Sequence, residues 1–347
     1  MITGIAVKNQ TKNTSKPVVS TWQAALATAI RDPSVLLERL NLKNNISFSD
    51  IAQRQFRLLV PESYLQRMRP GDPNDPLLRQ VLPINAEMQI LTGYQSDPVG
   101  DSHATVAPGL LHKYQGRALL LTTKACAIHC RYCFRRHFPY SDSNPLHENW
   151  QSALNYLKQH SDIHEIILSG GDPLTLSDAR LYELGKKLAR LTNIQRLRLH
   201  TRLPIVLPER IDENLLTCLA KLKQRFQLII VIHANHAQEL AATDVQHALN
   251  QLHQANITLL NQSVLLRSIN DNTDTLCQLS EALFAQHVLP YYLHVLDKVQ
   301  GAAHFAVPDE LALFYLDTMR KRLSGYLIPK LVRELAGAAS KCPLPTV

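Results

Sequence analysis

Three thiols crowd into eight residues, Cys126-Ala127-Ile128-His129-Cys130-Arg131-Tyr132-Cys133, directly after the apolar run 118–121. Such a loop has to present all three side chains to one inorganic centre, and the strand before it fixes where the loop sits. Thiolate is the soft ligand that iron–sulfur clusters take, and a cubane has four irons, so three cysteines leave one iron open to a small molecule. Zinc bound by these thiols together with His129 or His137 is the alternative. Structural zinc usually draws its thiols from separated pairs, however, and no second pair follows downstream. The remaining cysteines, Cys218, Cys277 and Cys342, are scattered. That is no disulfide framework and suits a reducing compartment.

A chain of 347 residues, 45% hydrophobic and 19% charged, can bury a substantial core with ordinary globular composition. Residues 1–17 are polar, without the apolar segment of a secretion signal, and no run reaches membrane-spanning length. The expectation is a soluble cytoplasmic protein with no membrane partner and a frayed N-terminus. The formal charge of +8 raises the question of nucleic acid. Basic residues are spread along the chain without an RNA-binding signature, so they are expected to serve a phosphate-bearing cofactor or an acidic protein partner instead.

Helical spacing of apolar residues over 22–30, 35–40 and 48–59 predicts a small helical N-terminal region, with Ser47 and Ser49 as caps. The proline-rich stretch 70–83 is expected to lack regular structure, since each proline removes a donor and biases its predecessor toward extended geometry. Beyond Arg117 the pattern alternates. Strand-like runs at 118–122, 163–168, 196–200, 227–233, 258–265 and 291–295 are separated by helix-like segments near 148–158, 177–191, 212–223, 244–254, 274–286 and 308–323. Six βα units in succession imply a parallel sheet covered by helices, an α/β fold, with no further strand expected after residue 325. An eight-unit barrel is the structural alternative. The chemically distinctive residues fall just after these strands: Cys126, Ser169 to Asp172, His200 to Arg202, His233 to His236, Arg267 to Asp271, and Asp297. In parallel α/β barrels that edge carries the active site, because the βα loops converge there.

The cysteine spacing with Tyr132 before the last thiol resembles the cluster motif of the radical S-adenosylmethionine enzymes. Four further stretches, Met68-Arg69-Pro70-Gly71-Asp72-Pro73-Asn74-Asp75-Pro76-Leu77-Leu78, Cys133-Phe134-Arg135-Arg136, Ser169-Gly170-Gly171-Asp172-Pro173-Leu174 and Asn261-Gln262-Ser263-Val264-Leu265-Leu266, together resemble the lysine 2,3-aminomutases. The likeness runs from about residue 55 to the C-terminus. The short chain and the ending Ser340-Lys341-Cys342-Pro343-Leu344 are most similar to the bacterial members that make β-lysine for modifying elongation factor P. The resemblance implies a partial (β/α)6 barrel of the radical S-adenosylmethionine type over 110–325. An N-terminal helical region and connector precede it over 1–109, and a C-terminal segment over 326–347 carries a cofactor lysine. It implies three cofactors, a [4Fe–4S] cluster, S-adenosyl-L-methionine and pyridoxal 5′-phosphate. The substrate would be L-lysine, with a functional link to elongation factor P and its ligase.

Carried over residue by residue, Cys126, Cys130 and Cys133 hold the cluster, and Ser169, Gly170, Gly171 and Asp172 form the loop for S-adenosylmethionine. Taken alone, Gly-Gly-Asp-Pro is also an ordinary strand-to-helix turn. His233 and Gln262 line the adenosine side, although a histidine in an apolar run is often a hydrogen-bonded core residue. Lys341 matches the lysine that bonds pyridoxal phosphate, with Lys330 and Lys298 as rivals. Lys113, Tyr114 and Arg202 match contacts to that cofactor's phosphate and surroundings. Lys113 stands where arginine is expected, which turns a forked contact into a point charge. Arg135 matches the group that grips the substrate carboxylate, a task suited to a bidentate guanidinium. Asp297 and Glu334 match the carboxylates that hold the distal ammonium, with Glu334 in place of an expected aspartate. Gly337-Ala338-Ala339-Ser340 replaces the family's run of glycines.

Two other readings stand beside this one. An aminomutase for arginine or glutamate would use the same cofactors, although the acidic pair would repel a distal carboxylate. A non-catalytic iron–sulfur protein that binds RNA would keep the cysteines without the chemistry.

Overall fold

The computed structural model describes residues 21–139 and 150–344. The polar stretch 1–17 and the start of the helix expected from residue 148 lie outside these. The N-terminal helices Trp22–Ala27, Pro33–Arg39 and Asp50–Gln55 each begin at a side-chain cap. Thr21 accepts from the Ala24 amide, Asp32 from Ser34 and Ser49 from Ala52, which satisfies amides that a helix start leaves orphaned. Helices this short need packing to persist. Trp22, Leu36, Leu40, Leu58 and Tyr64 supply it, lying in one buried cluster with the leucines of the sheet and its covering helices.

The proline-rich stretch departs from expectation by containing a helical turn, Pro76–Arg79. Asp75 accepts from the amides of Leu77 and Leu78, and Pro76 occupies the first helical position. At that position a missing N–H costs nothing and the fixed φ already suits a helix.

Ten strands follow one another across the sheet in chain order. They are β1 Thr105–Ala107, β2 Leu110–Tyr114, β3 Arg117–Thr123, β4 Glu165–Gly170, β5 Arg196–Thr201, β6 Gln227–Ile232, β7 Thr258–Val264, β8 Leu289–His294, β9 Lys330–Arg333 and β10 Cys342–Pro343. β3 to β9 pair in parallel, whereas β1, β2 and β3 form antiparallel pairs at one edge and β9 with β10 at the other. The parallel part therefore has seven strands where six were expected, and β9 and β10 lie beyond residue 325. Lys330–Arg333 carries only two apolar residues, too few to show period-two alternation. Pairing with β8, Leu293 opposite Leu331, makes it a strand.

Successive side chains of a strand point to opposite faces. On the outer face Ala118, Leu120, Ile166, Leu168, Leu197, Leu199, Leu228 and Ile230 are buried in the main core. On the inner face Arg117, Glu165, Arg198, His200, Gln262 and His294 line a cavity of about 860 Å³. Leu119, Ile167, Ile229, Val231 and Leu260 line the same cavity, so its wall is mixed, and the buried charges among them need partners.

Behind the cysteine loop, Glu87 is fully buried and takes both Arg131, through Nε at 2.9 Å and Nη2 at 2.6 Å, and Arg136 Nη2 at 2.8 Å. Arg131 also donates to the carbonyls of Ala52 and Phe56. The helical N-terminal region thus holds the loop through charge. Removing one partner of a buried ion pair costs about 3–5 kcal/mol, so Glu87→Ala is expected to lose about that much stability in anaerobic urea unfolding. An unchanged midpoint would show that the latch carries no load.

Candidate active site

The cysteine loop leaves the C-terminal end of β3, and Cys126, Cys130 and Cys133 all line the cavity. Its backbone is tied down by Arg131 N to Gln80 O at 2.9 Å and His129 N to Leu59 O at 3.1 Å. Burial pushes the Cys133 thiol up to about 11 and the Cys126 thiol well above its usual range, so iron has to displace their protons. Both histidines of the zinc alternative have one ring nitrogen on a backbone carbonyl. His129 turns Nδ1 to the Arg57 carbonyl at 2.7 Å and His137 turns Nε2 to Gln300 O at 3.1 Å. Among the described residues, no three His, Cys, Asp or Glu side chains converge on one ion position. A cluster that offers each thiolate its own iron needs no such convergence.

The glycine loop after β4 packs directly on the cysteine loop. Gly171 N donates to Thr123 O and Asp172 N to Ala125 O, both at 2.7 Å. A Cβ on Gly171 would stand 2.1 Å from the Ala125 carbonyl oxygen, and Gly170 has φ +118°. Only glycine permits that approach. Asp172 belongs to the same junction. Its carboxylate accepts from Leu174 N, Thr201 Oγ1 and Arg202 N, and burial still pushes it up to about 6. The side chain is committed to holding three loops together, which leaves backbone groups and Ser169 to meet a ligand. Ser169 Oγ accepts from Arg135 Nη1 at 3.2 Å.

His233 has both nitrogens engaged, Nδ1 with Gln262 O and Nε2 with Tyr132 Oη, each at 2.7 Å. Burial and then the Arg202 charge bring it down to about 4, so it is a neutral, fully bonded ring. The Gln262 amide nitrogen is buried in the cavity wall without a protein partner and remains a donor for a ligand.

Arg202 stands apart from the phosphate contacts with which the sequence groups it. Its Nη1 donates to Cys130 Sγ at 2.7 Å and Tyr132 Oη at 2.9 Å, and its Nη2 reaches Gln80, Glu239 and Tyr64. These partners hold the guanidinium at the cysteine loop. Its two terminal nitrogens are thereby committed to the cysteine loop and its neighbours and not to the phosphate contacts expected of it, while Nε is left without a partner.

The other residues form an alternating chain of charges across the cavity. Arg135 Nε meets Asp101 Oδ2 at 2.7 Å, Lys113 Nζ meets Asp101 Oδ1 at 2.5 Å and Glu334 Oε1 at 2.9 Å, and Glu334 Oε2 meets Lys341 Nζ at 2.9 Å. Burial alone would raise Glu334, but Lys341 and then Lys113 pull it down to about 2. Asp297 shares that space, and burial followed by the Glu334 charge pushes it up to about 7. Asp101, absent from the sequence assignments, is the buried hinge of the chain. In the sequence it stands at the end of Asp97-Pro98-Val99-Gly100-Asp101, with no motif to single it out. Lys298 and Lys330, the rivals of Lys341, are exposed and do not line the cavity.

The deeper wall fits an anionic aromatic ligand. Arg117 and Arg198 line it, and His200 and His294 turn buried Nε2 atoms toward it without protein partners. Both rings are held well below the usual range by burial. Lys341 offers an amine within 5.8 Å of the Tyr292 ring centre, and Tyr114 stands beside Glu334. Lys341 and Tyr114 would therefore hold pyridoxal phosphate with help from Arg117, Arg198, His200 and His294, whereas Lys113 Nζ is already taken by Val99 O at 2.8 Å, Asp101 and Glu334. The alternation Arg196-Leu197-Arg198-Leu199-His200 was the available signal for the last set, since it puts basic groups on one strand face.

A three-cysteine loop over a glycine turn, on a parallel barrel with a basic interior, defines a radical S-adenosylmethionine enzyme, and the model of the radical SAM superfamily matches residues 120–217. The chain is 49% identical to L-lysine 2,3-aminomutase of Escherichia coli, over 93% of this chain and 94% of that one. It is 45% identical to the Haemophilus influenzae enzyme of the same name, over 92% and 94%. With that of Clostridium subterminale it shares 33% identity over 84% of this chain and 69% of the other. The chain belongs to the lysine 2,3-aminomutase family and is an isomerase. Its cofactors are a [4Fe–4S] cluster, S-adenosylmethionine and pyridoxal phosphate.

Overpacking a tight contact costs about 1–3 kcal/mol. Gly171→Ala is therefore expected to weaken S-adenosylmethionine binding by about tenfold or more in equilibrium dialysis, with far-UV dichroism unchanged; parental affinity would dissociate the loop from that ligand. Asp297 makes a stability prediction with a definite sign. Its folded pKa lies above the unfolded value of about 3.9, so the folded state keeps a proton that the unfolded state releases. Folding stability falls as pH rises from about 4 to 7, by up to about 4 kcal/mol. Asp297→Asn should thus stabilise the apoprotein at pH 8 and leave it unchanged at pH 4, read as the difference in thermal midpoint.

Proposed function

We propose that this enzyme moves the amino group of L-lysine from Cα to Cβ and makes β-lysine. The observation that carries the reading is one cavity lined both by a guanidinium for a carboxylate, Arg135, and by a carboxylate outside the chain of ion pairs for an ammonium, Asp297. When bound, the cluster and S-adenosylmethionine supply hydrogen abstraction, and pyridoxal phosphate carries the migrating nitrogen.

The protein's own residues position and discriminate. Arg135, fixed by Asp101 and Ser169, orients the α-carboxylate through a forked contact. Glu334 is already engaged by Lys113 and Lys341, so Asp297 is the carboxylate that answers a further cation. A buried ammonium has to be paired with charge, which favours lysine over a neutral amino acid. A glutamate side chain would meet two carboxylates of like sign. Mounted on the strands of one barrel, these groups hold the substrate in one pose.

The likeness in length and coverage to the Escherichia coli and Haemophilus influenzae enzymes supports a place among the short bacterial aminomutases. On that basis we assign the β-lysine to modification of elongation factor P through its ligase, in the cytoplasm. Among the described residues no helix is long and apolar enough to cross a membrane.

The test is an anaerobic assay of the reconstituted enzyme with free lysine, arginine and glutamate in turn, scored for β-amino product. Lysine is the expected substrate, and product from another amino acid alone would overturn the assignment. At about 1.4 kcal/mol per tenfold, loss of the pairing should lower kcat/KM for lysine by two to three orders of magnitude in Asp297→Asn, with cofactors retained. A protonated Asp297 has no charge to offer. In the parent, kcat/KM should therefore rise with pH through about 7, a rise that Asp297→Asn lacks. Borohydride reduction and peptide mapping should place pyridoxal phosphate on Lys341, and a label on Lys330 or Lys298 would sink that assignment.

A further inference from the structure

We propose that Arg202 tunes the reduction potential of the iron–sulfur cluster through its hydrogen bond to Cys130, with Glu239 limiting the size of the effect. The proposal rests on the assignment of Cys126, Cys130 and Cys133 as cluster ligands. Arg202 begins where β5 ends, and its backbone amide is pinned by Asp172 Oδ2 at 2.6 Å. The guanidinium lies across a buried set of acceptors. Nη1 faces Cys130 Sγ at 2.7 Å and Tyr132 Oη at 2.9 Å. Nη2, on the far side, faces Gln80 Oε1 at 2.7 Å, Glu239 Oε2 at 2.8 Å and Tyr64 Oη at 3.2 Å. Glu239 is itself fixed by the amides of Asn235 and His236 and by Gln80 Nε2. Neither Arg202 nor Glu239 can turn away without leaving the other's buried charge without its ion-pair partner.

Arg202 therefore presents the sulfur with the positive end of a rigid ion pair whose negative end is one guanidinium further off. Reduction adds one electron to the cluster from a low-potential one-electron donor, titanium(III) citrate in the assay, and makes or breaks no bond. The added charge spreads onto the sulfurs, so a cationic donor at Cys130 stabilises the reduced form more than the oxidised one. Hydrogen bonds to cluster sulfurs are among the factors that set such potentials. Removing the donor should make the cluster harder to reduce. Removing Glu239 should do the opposite, because the guanidinium charge is then uncancelled. A merely structural role for the pair would not move the potential in opposite directions.

The parent, Arg202→Gln, Arg202→Lys and Glu239→Gln are reconstituted anaerobically, assayed for iron and sulfide, and titrated by electron paramagnetic resonance without S-adenosylmethionine. Arg202→Gln is expected to shift the midpoint at least about 59 mV more negative, tenfold in the one-electron equilibrium. Arg202→Lys should shift less in the same direction, and Glu239→Gln the other way. A parental potential in Arg202→Gln or Arg202→Lys at full iron content overturns the proposal, whereas a parent protein without iron and sulfide overturns the cluster assignment instead. Should the variants fail to hold a cluster, parent protein labelled with ¹⁵N-arginine decides. Pulsed resonance of the reduced cluster should show a ¹⁵N coupling, and its absence overturns the proposal.

Discussion

The ion pair of Arg202 with Glu239 joins three parts of the molecule that are far apart in the chain. Its partners come from the N-terminal region in Tyr64 and Gln80, from the cysteine loop in Cys130 and Tyr132, and from the barrel itself. Burial disfavours both charges, yet Arg202 is held well above its usual range by Cys130, Tyr132 and Glu239, and Glu239 is held below its own chiefly by Arg202. Glu239 thus depends chiefly on Arg202, whereas Arg202 is held by Cys130, Tyr132 and Glu239 together. The position of the cysteine loop follows, since the loop is gripped there by Arg202 and from behind by Glu87 through Arg131 and Arg136.

At the opposite side of the cavity the same physics orders a longer chain of charges. Arg135, Asp101, Lys113, Glu334 and Lys341 alternate in sign, which lets five charges share a confined space at little mutual cost. Asp297 is the odd member. Burial and the ionised Glu334 beside it keep it from holding its own charge easily. Asp297 is thus a source of instability wherever it is ionised, a cost of the kind that functional sites commonly carry.

The fold leaves room for this because the barrel is open. Seven parallel strands with antiparallel edges do not close into a cylinder, and the inner face mixes Arg117, Arg198, His200, Gln262 and His294 with aliphatic residues such as Leu119, Ile167, Ile229 and Val231. The outward residues of β3 to β6 pack in the main core, so most of the apolar packing and the polar chemistry lie on opposite faces of one sheet.

What the sequence by itself determined was local in kind. The cysteine spacing, the glycine pair and the alternation of strand and helix depend on neighbours within a few residues, and the three thiols, the loop at Gly170 and Gly171, and most strands stand where those patterns put them. The β9 strand was invisible because Lys330–Arg333 becomes a strand only by pairing with β8. Only the tertiary structure decided that Arg202 serves Cys130, 72 residues away, and that Glu334 is bound by Lys113 across 221 residues, leaving Asp297 as the free acid. It also brought in Asp101. A charge's role is set by which other charges lie within a few ångströms and how much water remains between them, and neither quantity is written in the order of residues along the chain.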